Sequence, residues 1–152
     1  MKKLRQTRAS SPAAAIRIFL GLLFLSTGLM KVAVPDLRAA FSGQLTAAGI
    51  PLHSLNMWMV PVAEIGVGIL FTLGFLARLA SLSAIVMMLV ATYVHLVVDD
   101  PTLFPLQPEE PIIPIAVIAL CIYLLWIGSG SWSLDFRGKP PDRSQPGRYD
   151  AT

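Results

Sequence analysis

The chain has 152 residues, of which 55% are hydrophobic and only 14% charged, with 12 Lys and Arg against 9 Asp and Glu. A water-soluble domain carries about 25% charged residues to cover its surface, so this composition reads as one membrane-embedded domain and excludes a disordered tail, a collagen-like chain or a coiled coil. The single cysteine, Cys121, excludes an internal disulfide framework, a paired-cysteine redox motif and any multi-cysteine zinc or iron–sulfur site.

Taken in chain order, a basic N-terminus (1–12, with Lys2, Lys3, Arg5 and Arg8) leads into an apolar run at about 13–34. No small-x-small cleavage site follows that run before Pro35, so it reads as a retained span and not a leader. Pro35 and Asp36 then open a short helix whose apolar side carries Leu37, Ala40, Phe41 and Leu45, and which Gly49 and Pro51 stop. It is expected to lie at the outer interface or over the bundle. A second span follows at about 55–77 and a third at about 79–98, joined by a tight turn centred on Arg78. The outer loop from Asp99 to Glu110 contains Pro101, Pro105 and Pro108 and reads as irregular but stiff. A fourth span is expected at about 112–128, and the polar tail 138–152 reads as disordered. Each span has roughly 17–23 residues, enough to cross a ~30 Å hydrocarbon layer at 1.5 Å per residue. The expected fold is therefore all-α: a polytopic four-transmembrane-helix bundle over 13–137 with a short interfacial helix in its first outer loop.

Charge asymmetry orients this bundle. Both termini fall on one side, together with Lys2, Lys3, Arg5, Arg8, Arg17, Arg78, Arg137, Lys139, Arg143 and Arg148. The other side has only Lys31 and Arg38 among acidic residues such as Asp36, Asp99, Asp100, Glu109 and Glu110. Positive residues accumulate on the cytoplasmic side, so both termini are expected in the cytoplasm. The basic residues serve topology, which leaves no case for nucleic-acid binding.

Charges inside spans are costly and so point to packed or functional positions. Arg17, Gly21, Phe24, Gly28 and Lys31 recur at a 4-3-4-3 spacing that places them on one helix stripe. Pro61, Glu64, Gly68 and Thr72 share a face of the second span, and Ser81, Ala84, Met88, Ala91 and His95 a face of the third. If all three stripes face inward, Lys31, Glu64 and His95 converge in the outer half. Simpler roles compete with this: headgroup snorkelling for Lys31, an ordinary interfacial position for His95, a structural pair for Glu64 with Lys31. At the inner end Arg17 and Arg78 read chiefly as topology anchors, and an ion cluster of either with Asp135 is expected. Trp58, Trp126, Trp132, Tyr93 and Tyr123 fit aromatic belts, and Cys121 fits a small core position. No metal-ligand spacing, phosphate loop or nucleophile–base motif is present.

With the spans placed, several local patterns resemble the DoxX family of four-helix bacterial membrane proteins. They are Arg17-Ile18-Phe19-Leu20-Gly21 through Ser26-Thr27-Gly28-Leu29-Met30-Lys31, and Pro61-Val62-Ala63-Glu64 with Gly66 and Gly68. Leu73-Gly74-Phe75-Leu76-Ala77-Arg78 follows, and Gly128-Ser129-Gly130-Ser131-Trp132-Ser133-Leu134-Asp135, the most specific of them, closes the match. The resemblance covers about 13–137. It implies a four-helix membrane architecture and recurring polar positions at Arg17, Lys31, Glu64, Arg78 and Asp135. It also implies kinship with a subunit of a thiosulfate:quinone oxidoreductase, with partners in membrane redox complexes and, more distantly, with assembly factors. The lone cysteine separates the chain from quinone-linked thiol oxidases, which move electrons through cysteine pairs.

Two functions of different class follow as expectations. In the first, the chain is a subunit of a membrane redox complex whose outer-half pocket (Lys31, Glu64, His95) binds a quinone headgroup or similar small molecule. It has no intrinsic cofactor, so electrons come from a redox partner protein or a soluble donor. In the second, it is a non-catalytic scaffold or assembly factor, with Lys31–Glu64 as a structural pair. A transporter is a weaker third reading, since four short spans without a repeat give little room for alternating access unless the protein is a homo-oligomer.

Overall fold

The computed structural model describes residues 10–98 and 111–137. Among these the chain is all helical: α1 (Ser11–Ala33), α2 (Pro35–Ala47), α3 (His53–Leu73), α4 (Ala77–Val97), α5 (Ile112–Ile127) and the single turn α6 (Leu134–Arg137). α1, α3 and α4 are each long and apolar enough to cross a membrane, whereas α5, with 16 residues and no charge, is shorter. The loop 99–110, the tail 138–152 and most of the basic N-terminus fall outside the described residues.

Local chemistry explains the helix ends. Ser10 accepts from Ala13 N at 3.3 Å and Pro12 occupies the first turn, which starts α1 where its orphan N–H groups need a partner. Pro35 both ends α1 and starts α2. The second span stops earlier than its apolar pattern suggests, at Leu73 instead of about residue 77. Gly74 takes φ +65°, with Gly74 N bonded to Phe71 O and Phe75 N to Leu70 O, a closed C-terminal motif that only a left-handed residue allows. The expected turn centred on Arg78 is thus displaced to Gly74–Leu76, and Arg78 already lies within α4.

The helices associate in two pairs. α1 packs most extensively and antiparallel against α3, and α4 against α5; α3 and α4, though joined by the short turn, share much less contact. Glycines set the α1/α3 seam: a methyl on Gly21 would come within 2.8 Å of Thr72 N, and one on Gly68 within 2.7 Å of Leu25 N. Such close backbone approach is how apolar helices gain dispersion contacts in lipid, where burial alone drives little association. Leu20, Phe24, Val67 and Phe71 from one pair meet Ala80, Ala84, Val117, Cys121 and Leu124 from the other in a single core, with the Phe24 and Phe71 rings 6.2 Å apart. Cys121 is a fully buried member of that core. The outward faces stay apolar and exposed, as at Phe19, Leu22, Val62, Val86 and Ile122.

Candidate functional site

Away from the Gly74 turn the two pairs leave a cavity of about 380 Å³ between them. Its roof is α2, whose Leu37, Phe41, Gln44 and Leu45 recur at helical spacing and line it together. α2 is held to α3 by Ser42 Oγ, 3.1 Å from His53 Nε2, and by the Arg38 guanidinium, 4.0 Å from the centre of the Trp58 ring.

Lys31 and Glu64 meet in the wall of this cavity. Gly28 lies almost one turn before Lys31, and a methyl there would come within 2.9 Å of Pro61 O and 3.0 Å of Glu64 Cβ. The missing side chain lets α3 approach closely enough for Lys31 Nζ to reach Glu64 Oε1 at 2.5 Å. The Glu64 side chain is 6% exposed and that of Lys31 17%. The ammonium also stands 5.0 Å from the centre of the Phe41 ring. Among the described residues, the second carboxylate oxygen, Glu64 Oε2, is buried without a hydrogen-bond partner. His95 reaches the same cavity from α4, half-buried. All three sequence-predicted residues therefore border one cavity, two of them in direct contact.

Sequence reasoning overlooked three further polar residues in the lining: Thr27, Gln44 and Asn56. Thr27 precedes Lys31 by one turn and Gln44 follows Phe41 by three, so helical spacing could have found both. Thr27 Oγ1 donates to Phe24 O at 3.2 Å, and Asn56 Nδ2 donates to Pro51 O at 2.8 Å. The rest of the wall is mainly apolar, from Phe24, Met88, Val94 and Val117 among others.

The end of the bundle at the Gly74 turn differs from expectation. Arg17, read as a topology anchor, is wholly buried. Its guanidinium donates to four backbone carbonyls: Nε to Ser129 O at 2.9 Å, Nη1 to Thr72 O at 2.9 Å and to Phe71 O, and Nη2 to Trp132 O at 3.1 Å. Phe71 and Thr72 close α3, where carbonyls lack the usual helical partner four residues on, and Phe71 O also accepts from Gly74 N. Asp135 is close enough to act electrostatically on Arg17, and its Oδ2 accepts from Ala77 N at 3.2 Å. That carboxylate serves α4 as a cap from a distance, because the local N-cap residue, Leu76, has no polar side chain. Arg78 points elsewhere, donating from Nη2 to Trp126 O at 3.2 Å. The expected ion cluster is thus a clasp in which the loop after α5 wraps Arg17 and tethers the two helix pairs. Gly130 lies against Ser10 and Ala14, and Ser131 N donates to Ser10 O at 3.2 Å, which adds the start of α1 to the clasp. Among the described residues no group of His, Cys, Asp and Glu is placed to hold a metal ion.

Comparison with known proteins agrees with this architecture. The chain matches the DoxX family over residues 13–96. It is 30% identical over 148 residues to the uncharacterized membrane protein Rv3486 of Mycobacterium tuberculosis, covering 88% of this chain and 86% of that protein. No solved structure matches it. The Arg17 and Lys31–Glu64 positions all fall inside the matched segment, and the chain belongs to the DoxX family of membrane proteins.

Proposed function

We propose that this protein is a four-span inner-membrane subunit of a redox complex, and that its cavity holds the head of a quinone or a similar lipophilic small molecule. One observation carries the proposal: a nearly buried ion pair, Lys31–Glu64, forms part of the wall of an otherwise mainly apolar cavity of about 380 Å³. Ligand sites have this character, a mostly apolar enclosure with a few polar groups that fix orientation. An intramembrane charge pair that served packing alone would have no need of an adjoining void. Met30, Met59 and Val90 line the cavity while remaining about half exposed, so a lipid-dissolved ligand could enter from the side with its tail left among the acyl chains.

In this scheme α5 is the fourth span, both termini are cytoplasmic by the distribution of basic residues, and α2 lies at the outer interface as the roof. Lys31 holds a ligand oxygen, Glu64 delivers to it the proton that reduction requires, and His95 returns a proton to Glu64 from the outer surface. A partner protein supplies the electrons.

The test is purification in a mild detergent followed by identification of bound lipophilic molecules in the native protein and in Glu64→Gln. A bound quinone or related lipophile that is depleted in the variant supports the proposal. An empty native protein accompanied by a stoichiometric protein partner instead favours a scaffold or assembly role. Unchanged occupancy in Glu64→Gln removes the ion pair from the site.

A further inference from the structure

The hydrogen-bonding groups around the cavity are not balanced. Thr27 has committed its hydroxyl proton to Phe24 O, and Asn56 its two amide N–H groups to Pro51 O and, at 3.5 Å, to Leu52 O, so each offers its remaining capacity as an acceptor. The amide orientation of Asn56 is fixed, since its nitrogen faces two carbonyls, Pro51 O and Leu52 O. Among the described residues, Glu64 accepts from Lys31 through Oε1 alone, and its Oε2 is buried with no donor. Gln44 and His95 can act in either sense. Among the described residues, the donor on the wall with a fixed sense is Lys31, already shared between Glu64 and the Phe41 ring. A buried carboxylate oxygen without a donor is a costly group. The terminal torsion of a glutamate is broad, so a small rotation can present Oε2 to whatever fills the cavity.

Building on the proposal that the cavity holds a lipophilic ligand, we infer that the ligand's head carries a hydroxyl donor: the site selects a hydroxylated amphiphile, such as a phenol, over a head that only accepts. A hydroxyl suits the pair in both senses, because its oxygen accepts from Lys31 Nζ while its proton goes to Glu64 Oε2. A carbonyl or ether satisfies the lysine and leaves the carboxylate orphaned. For a quinone couple, the dihydroxy form is the one held more tightly, the oxidised form being held through Lys31 alone. Sites built to pair a ligand hydroxyl discriminate strongly against the analogue lacking it, since the site's own polar group is then stranded.

The experiment compares 4-nonylphenol with its methyl ether, 4-nonylanisole, which keeps the ring, chain and oxygen but lacks the donor. Binding of each to the full-length protein in lipid nanodiscs is measured by equilibrium competition, with empty nanodiscs subtracted for partitioning. The phenol is expected to bind about tenfold or more tightly than the ether, the factor for a hydrogen bond to a charged acceptor. In Glu64→Gln the preference should fall toward unity, because the amide gives its oxygen to Lys31 and turns a donor toward the ligand. Equal affinity of both probes for the native protein overturns the donor inference while leaving an occupied cavity. A preference that survives in Glu64→Gln overturns Glu64 as the acceptor. Failure of both probes to bind overturns the cavity proposal and this inference with it. The native comparison needs no variant, so it stands even where Glu64→Gln does not fold.

Discussion

Replacing Arg17 with lysine separates two roles that look alike in sequence. A headgroup anchor at the inner surface needs only a positive charge on a flexible stem, and lysine supplies one. The clasp needs a planar fork. Arg17 makes four backbone contacts, one from Nε, two from Nη1 and one from Nη2, to carbonyls on the end of α3 and on the loop after α5. A lysine ammonium has three donors at a single point, so at least one contact is lost. A hydrogen bond to a charged donor is worth about 1.5–3 kcal/mol, well above the ~0.6 kcal/mol typical of a neutral interhelical bond in a membrane. Arg17→Lys is therefore expected to destabilise the protein by about 1.5–3 kcal/mol. The assay is reversible unfolding in mixed detergent micelles, alongside abundance in the membrane. Arg17→Lys matching the native midpoint would refute the clasp and restore the anchor.

The seam predicts a contrast between glycines. Gly68→Ala drives a methyl to 2.7 Å from Leu25 N and should cost about 1–3 kcal/mol, whereas Gly66→Ala meets nothing within 4 Å and should be neutral or stabilising by the same unfolding measurement. Gly74→Ala combines a left-handed backbone with a clash against Ser133 Cβ, so loss of folded protein in fluorescence size-exclusion chromatography is expected. Lys31→Met alone strands the buried Glu64 carboxylate and should cost about 3–5 kcal/mol, while Lys31→Met with Glu64→Leu should recover most of the stability. That double variant should nevertheless lose the bound lipophile; retention of the lipophile would show that the pair is only structural. Ala91→Phe, from a half-buried position in the cavity wall, should displace the ligand with little change in the unfolding midpoint.

Much of this architecture is legible in the sequence. The 14% of charged residues and the long apolar runs specify membrane helices because lipid cannot satisfy an exposed backbone, so each run must be helical over its length. Helical spacing alone places Arg17, Gly21, Phe24 and Gly28 on the packed face of α1, where the structure buries them. It likewise picks out Pro61, Glu64 and Gly68 on α3; Thr72, at the end of that stripe, stays exposed. The spacing also finds Lys31, Glu64 and His95, because an ionisable residue within an apolar helix stands out against its background.

What spacing cannot supply is the identity of the facing partner. Arg17 is bound by carbonyls of Ser129 and Trp132, more than a hundred residues away, and a carbonyl leaves no trace in residue type. The remote cap is hidden for the same reason: Leu76 signals that α4 lacks a local cap, but only the returning loop brings Asp135 to Ala77. The cavity is a tertiary property in the strict sense. Periodicity assigns an inner face to each of α1, α3 and α4, yet only the pairing of α1 with α3 and of α4 with α5 leaves a gap roofed by α2. Composition and periodicity determined the helices and the residues that turn inward. The tertiary structure decided what those residues meet, since a contact between helices depends on approach and register that one helix's pattern does not contain.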